Sequence, residues 1–192
     1  MRHQRDTRLN LPSVIIGGTC DARYVLKYFT VFKKRFLIIQ GEISLSVDSK
    51  RDMLRHMVAT VAFRGGIAVA GAPEGFTLFH VHEEVRTPGE ILAHIGDLLE
   101  GSIHLLKGEM VYLASSPLQW DEEVSRFFSA AKRLDSYLAS DEQLACPVEK
   151  LVQGPVGDAL THIGQLVMLR RVAGSPIREE SYFTAEIIPG KE

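Results

Sequence analysis

Cysteine is nearly missing from this chain of 192 residues. Cys20 and Cys146 are the only two, too few for a disulfide framework and without the spacing of a thiolate zinc site. Long apolar runs are missing too: no stretch approaches the roughly eighteen apolar residues that a membrane-spanning helix needs. Neither sign of charge is in excess, with 22 Lys and Arg against 24 Asp and Glu and a formal charge of −2. That balance leaves no electrostatic footprint for nucleic acid or an anionic membrane surface. Arg2, Arg5 and Arg8 open the chain, but the apolar stretch behind them is short and broken by Gly17-Gly18, unlike a secretory signal. No repeat, low-complexity tract or phosphate-loop pattern occurs around Gly17-Gly18 or Gly65-Gly66. With 45% hydrophobic and 24% charged residues, the chain reads as an ordinary folded protein, expected to be soluble and cytoplasmic.

Two unequal parts follow from the patterning. Residues 1–50 lack a sustained helical period, and between Glu42 and Asp48 the alternation of Ile43, Leu45 and Val47 with Ser44 and Ser46 is a strand pattern. A lone strand is marginal. This part is expected to be a loosely attached extension, or sequence upstream of the true start, for which Met53 and Met57 are candidates. Residues 51–192 are expected to form an all-α four-helix bundle.

The first helix runs from Asp52 to about Ala70 on a stripe of Leu54, Met57, Val58, Val61 and Ala62, weakening at Gly65-Gly66. Thr87-Pro88-Gly89-Glu90 carries a hydroxyl N-cap, a first-turn proline and a capping-box glutamate. It opens a second helix through Ile91, Ile95, Leu98, Leu99 and Leu106 to Lys107-Gly108. Ser116-Pro117-Leu118-Gln119 repeats that grammar before a third seam of Trp120, Val124, Phe127, Ala131, Leu134 and Leu138. After a short amphipathic piece at Val148, Leu151 and Val152, the fourth helix runs from about Pro155 to Val172. The tail, with Tyr182, Phe183, Ile187 and Ile188, is apolar enough to fold back.

Histidine carries the chemistry. His56 reads as a surface residue, and His80 and His82 as a solvated loop. His104 lies about 80° round the helix from His94, on a flank or in solvent. His94 shares the stripe of Ile91 and Leu98, where an imidazole needs a hydrogen-bond partner or a metal, since burial without one costs roughly 1–3 kcal/mol. On the fourth helix Asp158, His162, Gln165, Leu166 and Leu169 fall on one face. Facing helices that each offer an inward histidine, with a carboxylate one turn before the second, are a common way to build a metal site. His94, Asp158 and His162 are therefore the candidate ligands, with open positions as in a catalytic site. Zinc, iron, nickel and manganese suit such a set about equally. Gln165 is placed to orient a ligand or a bound water. The structural alternative bonds both histidines to Asp97, Asp158 or backbone. Arg170-Arg171 complements the helix dipole or holds an anion such as a cofactor carboxylate. Cys146 before Pro147 reads as inert.

The segments Thr87–Leu99 and Asp158–Leu166 resemble the second and last metal-binding helices of the DinB/YfiT-like proteins, the DNA-damage-inducible four-helix family. The resemblance covers about residues 52–175. His94 matches the family's helix-two histidine, and His162 and Gln165 match the end of its His-x-x-x-His-x-x-Gln-Leu motif. Asp158 stands where that motif has its first histidine. The family includes bacillithiol S-transferases and mycothiol-dependent maleylpyruvate isomerase. The resemblance therefore implies a divalent metal holding a low-molecular-weight thiol as thiolate against a small-molecule electrophile, in a protein that often dimerises. Two other functions stay open: a non-catalytic stress-related bundle with a degenerate site, and a metal-activated hydrolase whose nucleophile is bound water.

Overall fold

In the computed structural model, residues 47–191 are described, and they hold four long helices and no strand. The second-helix start is built as its residues require. Thr87 Oγ1 accepts from the Glu90 amide at 3.2 Å, and Glu90 Oε2 accepts from the Thr87 amide at 2.7 Å. This helix is α2, Pro88–Leu106, and it stops at Gly108, whose φ of 81° suits only glycine well.

The helix before it, α1, spans Val47–Val69, so it begins five residues before Asp52. Val47 and Asp48, the end of the alternating segment, are helical. Ser49 and Lys50, placed by the sequence in the extension, are helical as well, so the helix takes in the last four residues of that part; residues 1–46 lie outside the described residues. Gly65-Gly66 does not weaken α1, because tertiary packing uses the gap: a Cβ on Gly65 would lie 2.4 Å from Cζ of Phe127.

The third helix, α3, spans Trp120–Ala139, starting later than its Ser-Pro signal. The segment before it is held extended instead: Asp97 accepts from the Ser115 amide and hydroxyl at 2.8 and 2.7 Å, and Glu123 accepts from the Leu118 amide at 3.0 Å. Arg126 bridges Asp97 and Glu123. The short piece at Val148–Leu151 is a one-turn helix, α4. Gly154 leaves helical geometry (φ −103°, ψ −113°), and α5, Gly157–Val172, follows.

Cross-helix pairs give the topology. Arg55 with Asp135 and Gly65 with Phe127 set α1 antiparallel to α3. Asp97 with Arg126 and Glu100 with Arg133 set α2 parallel to α3. The Ala145 amide bonds Leu106 O just before α4, so α2 ends where α5 is about to begin, and the two run antiparallel. Lys50 meets Glu149 just before α5, and Arg170 meets Ala68, so α1 and α5 are parallel. Around the bundle the order is α1, α3, α2, α5. The interior is filled by Leu54, Val58, Val61, Ile95, Leu99, Phe127, Leu134, Leu138, Ile163 and Leu166, each at most 1% exposed. Of the third seam, Trp120 is half-buried, edge-on to Phe76 at 5.3 Å. In the tail Ile187 is half-buried but Phe183 is 99% exposed, so only part of it folds back.

Arg170 closes one end of the bundle. It is 4% exposed, and all five of its N–H groups are engaged. Nη1 donates to Ala68 O and Ala70 O at 3.0 and 2.8 Å, Nη2 to Gly71 O and Ser175 Oγ at 2.9 and 3.1 Å, and Nε to Ser175 O at 2.9 Å. It caps the C-terminus of α1, whose last carbonyls have no partner within their own helix. Arg170→Ala strands these buried carbonyls and is expected to destabilise the protein by about 3 kcal/mol in urea unfolding. Arg170→Lys, which lacks the planar fork, recovers only part of that. A change within about 0.5 kcal/mol would contradict the assignment.

Candidate metal centre

His94 lies in the first half of α2, and Asp158 and His162 lie one turn apart on α5. Because these helices pack antiparallel, the three side chains meet on one seam. Asp158 straddles both imidazoles: Oδ2 is 3.6 Å from His94 Nε2, and Oδ1 is 3.5 Å from His162 Nε2. The rings are nearly perpendicular, at 87°, with centroids 4.8 Å apart. The three ligand atoms all lie within 4.8 Å of one another and form a group that can hold a metal ion.

At 3.5 and 3.6 Å Asp158 is within ion-pair range of both imidazoles, a long contact for a hydrogen bond. Two ligands each about 2.0–2.2 Å from a tetrahedral ion are separated by roughly 3.3–3.6 Å. The carboxylate spacing is compatible with a shared ion. Asp97, the other candidate partner for the histidines, is engaged by Ser115 and Arg126.

Gln165 has a defined place. Its Oε1 lies 2.8 Å from His162 Nδ1. With the amide oxygen on this side, the contact suits the tautomer that carries its proton on Nδ1 and leaves Nε2 towards Asp158 and His94. Hydrogen bonding of the distal nitrogen is how proteins orient a ligating imidazole. Gln165 and Asp158 are exposed, and His94 and His162 half-buried. The polar face of α5 thus lies along the α2–α5 seam at the surface rather than in the interior.

The pKa of His94 is lowered, first by burial of its ring and then by the electrostatic influence of Arg86 and of the neighbouring His162, against the raising effect of Asp158. A neutral ring is the form that ligates. Arg86, an exposed residue just before the α2 cap, went unnoticed in the sequence; its only signal was a cation one position before a helix start.

Several expectations need correction or placement. Arg170, expected as a dipole partner or an anion hook, has its guanidinium fully engaged at the end of α1. It also lies eight residues, about 12 Å, along α5 from His162, and the exposed Arg171 is one residue further on. Sequence alone places an arginine at a helix C-terminus and cannot show whose carbonyls it meets. His56, His80 and His82 are exposed, and His104 pairs with Glu109 on the flank. Cys146 is a half-buried free thiol whose pKa is raised by burial.

No family model, no curated protein and no solved structure matches this chain.

Two outcomes follow. With His94 lowered in the fold, the unfolded chain binds the proton more readily as pH falls through about 6.5, so His94 makes the protein less stable at acid pH. Urea unfolding of metal-free protein is expected to show a smaller loss between about pH 7.5 and about pH 5.5 in His94→Gln than in the parent; an equal loss would contradict it. Cys146 is expected to react with iodoacetamide near neutral pH more slowly than a free thiol, and faster alkylation would show an activated thiolate.

Proposed function

We propose that the protein binds one divalent metal ion through His94, Asp158 and His162 and works as a thiol S-transferase of the DinB/YfiT-like kind. The observation that carries the metal reading is the position of Asp158, 3.5–3.6 Å from both Nε2 atoms, together with the Gln165 bond that turns His162 towards it. When bound, such an ion supplies a positive centre that holds a low-molecular-weight thiol as thiolate. The chain's own residues do the rest. His94 and His162 offer neutral nitrogens, Asp158 offsets part of the ion's charge, and Gln165 fixes the His162 tautomer. Cys146, with its raised pKa, is unsuited as a nucleophile, and in this reading the thiol comes from a small molecule. The identity of the metal stays within zinc, nickel, manganese and iron.

The exposure of Asp158, 49% for its side chain, favours one second reading: a weakly binding, non-catalytic bundle in which the family's first histidine has been replaced.

Elemental analysis of the full chain after reconstitution with zinc, nickel or manganese tests the site. About one ion per chain is expected, lost in His94→Ala and in His162→Ala, with Gln165→Leu binding about 10–100-fold more weakly. A folded protein that retains no ion would support the second reading. Given a metal, thiol-dependent turnover separates a transferase from a hydrolase, which would cleave esters without added thiol.

A further inference from the structure

Between α2 and α3 the chain runs back along the bundle. Pro117 reaches the level of Gly89, where an added Cβ would lie 3.6 Å from the proline's own, and Leu106 is about 25 Å from Gly89 along α2. The connecting chain covers that length at about 2.5 Å per residue, nearer the rise of a strand than that of a helix. It is pinned on either side of its middle. The Glu109 amide donates to His104 O at 2.8 Å, and Ser115 donates to Asp97 through its amide and hydroxyl. Between these pins, Met110 to Ala114 make no hydrogen bond to any of the described residues. Their exposure alternates as on a strand: Met110 is 89% and Tyr112 93% exposed, against 45% for Val111 and a half-buried Leu113. From Met110 to Gln119 there is no charged residue.

We propose that Met110 to Ala114 form a docking strand for a second copy of this chain, the two segments pairing antiparallel about a two-fold axis through Tyr112. An extended segment with unpaired N–H and C=O groups is a template for another strand. Folded proteins blunt such edges with charge or proline. Here the nearest charge, Glu109, is paired with His104, and proline comes only at Pro117. A second copy is the occupant that fits, because a segment paired antiparallel with itself matches donors to acceptors and closes at two chains. Centred on Tyr112, the pairing sets Met110 against Ala114 and Val111 against Leu113, with no like charges opposed. The two Tyr112 rings, almost wholly exposed in a single chain, lie against each other on the axis. Because Asp97 already pins the segment, little further order is lost when the strands pair. The pairing does not depend on a metal at His94, Asp158 and His162.

The test is sedimentation equilibrium of the full chain from about 10 to about 500 μM, with backbone hydrogen exchange at both ends of that range. So short a pairing is weak, and a reversible monomer–dimer equilibrium within that range is expected. The amides of Met110 to Ala114 should exchange at least about twofold more slowly at the high end. Tyr112→Asp, which opposes two carboxylates on the axis, is expected to weaken association at least about tenfold. Met110→Asp combined with Ala114→Asp opposes carboxylates at the flanking pairs and should act in the same direction. Circular dichroism identifies which of these variants fold, and either one suffices. Phe183→Ser, at the most exposed aromatic of the C-terminal segment, should leave association unchanged. A monomer throughout the range, full association in a folded carboxylate variant, or a dimer whose slowed amides lie outside Met110 to Ala114 overturns the proposal.

Discussion

The arrangement of this bundle depends on a guanidinium. α1 and α5 run parallel, so their C-termini, each the negative end of a helix dipole, lie side by side. Antiparallel neighbours offset one another's dipoles, and a parallel pair does not. Arg170 resolves the conflict at the point where it arises, presenting a buried cation to the last carbonyls of α1 from the last turn of α5. It also holds Ser175, just past the glycine that ends α5. The contact fixes the axial register of α5 against α1. Asp158 and His162 lie two to three turns back along the same helix, so their height on the bundle is set by that register.

A second polar cluster keeps the site open. Because α2 and α3 are parallel, the chain must travel back along the bundle between them. Asp97, Glu123 and Arg126 anchor the returning segment at Ser115 and Leu118, on the α2–α3 side. The α2–α5 seam, on the other flank of α2, is left for His94 to face Asp158 and His162. Polar groups that hold a loop on one side of α2 and polar groups that can hold an ion on the other are thus only three residues apart in sequence, at Asp97 and His94.

Much of this was legible beforehand, for local reasons. The second helix announced its start through a capping box that the structure forms, and the burial of Phe127, Leu134 and Leu138 follows from their three- and four-residue steps. Helix periodicity put His94 on one face and Asp158 with His162 on another, and the antiparallel packing of α2 and α5 brings the three together. What stayed hidden depends on partners distant in sequence. Gly65 looks like a helix breaker until Phe127 fills its missing side chain. Ser116-Pro117 looks like a cap until Asp97 holds Ser115 in an extended segment. Arg170 looks like a dipole partner or an anion hook until it meets a helix a hundred residues earlier in the chain. The exposure of Gln165 contradicts an inward face, while its bond to His162 matches the orienting role that its spacing indicated.

The central claim is that the site is set to ligate before any ion arrives, with His162 held in one tautomer by Gln165. Long-range nitrogen–proton NMR of the histidine rings reads this directly. In metal-free protein above neutral pH, His162 should show the proton on Nδ1, and zinc should shift the Nε2 resonances of His162 and His94 together. A proton on Nε2 of His162, with neither ring responding to zinc, would contradict the account.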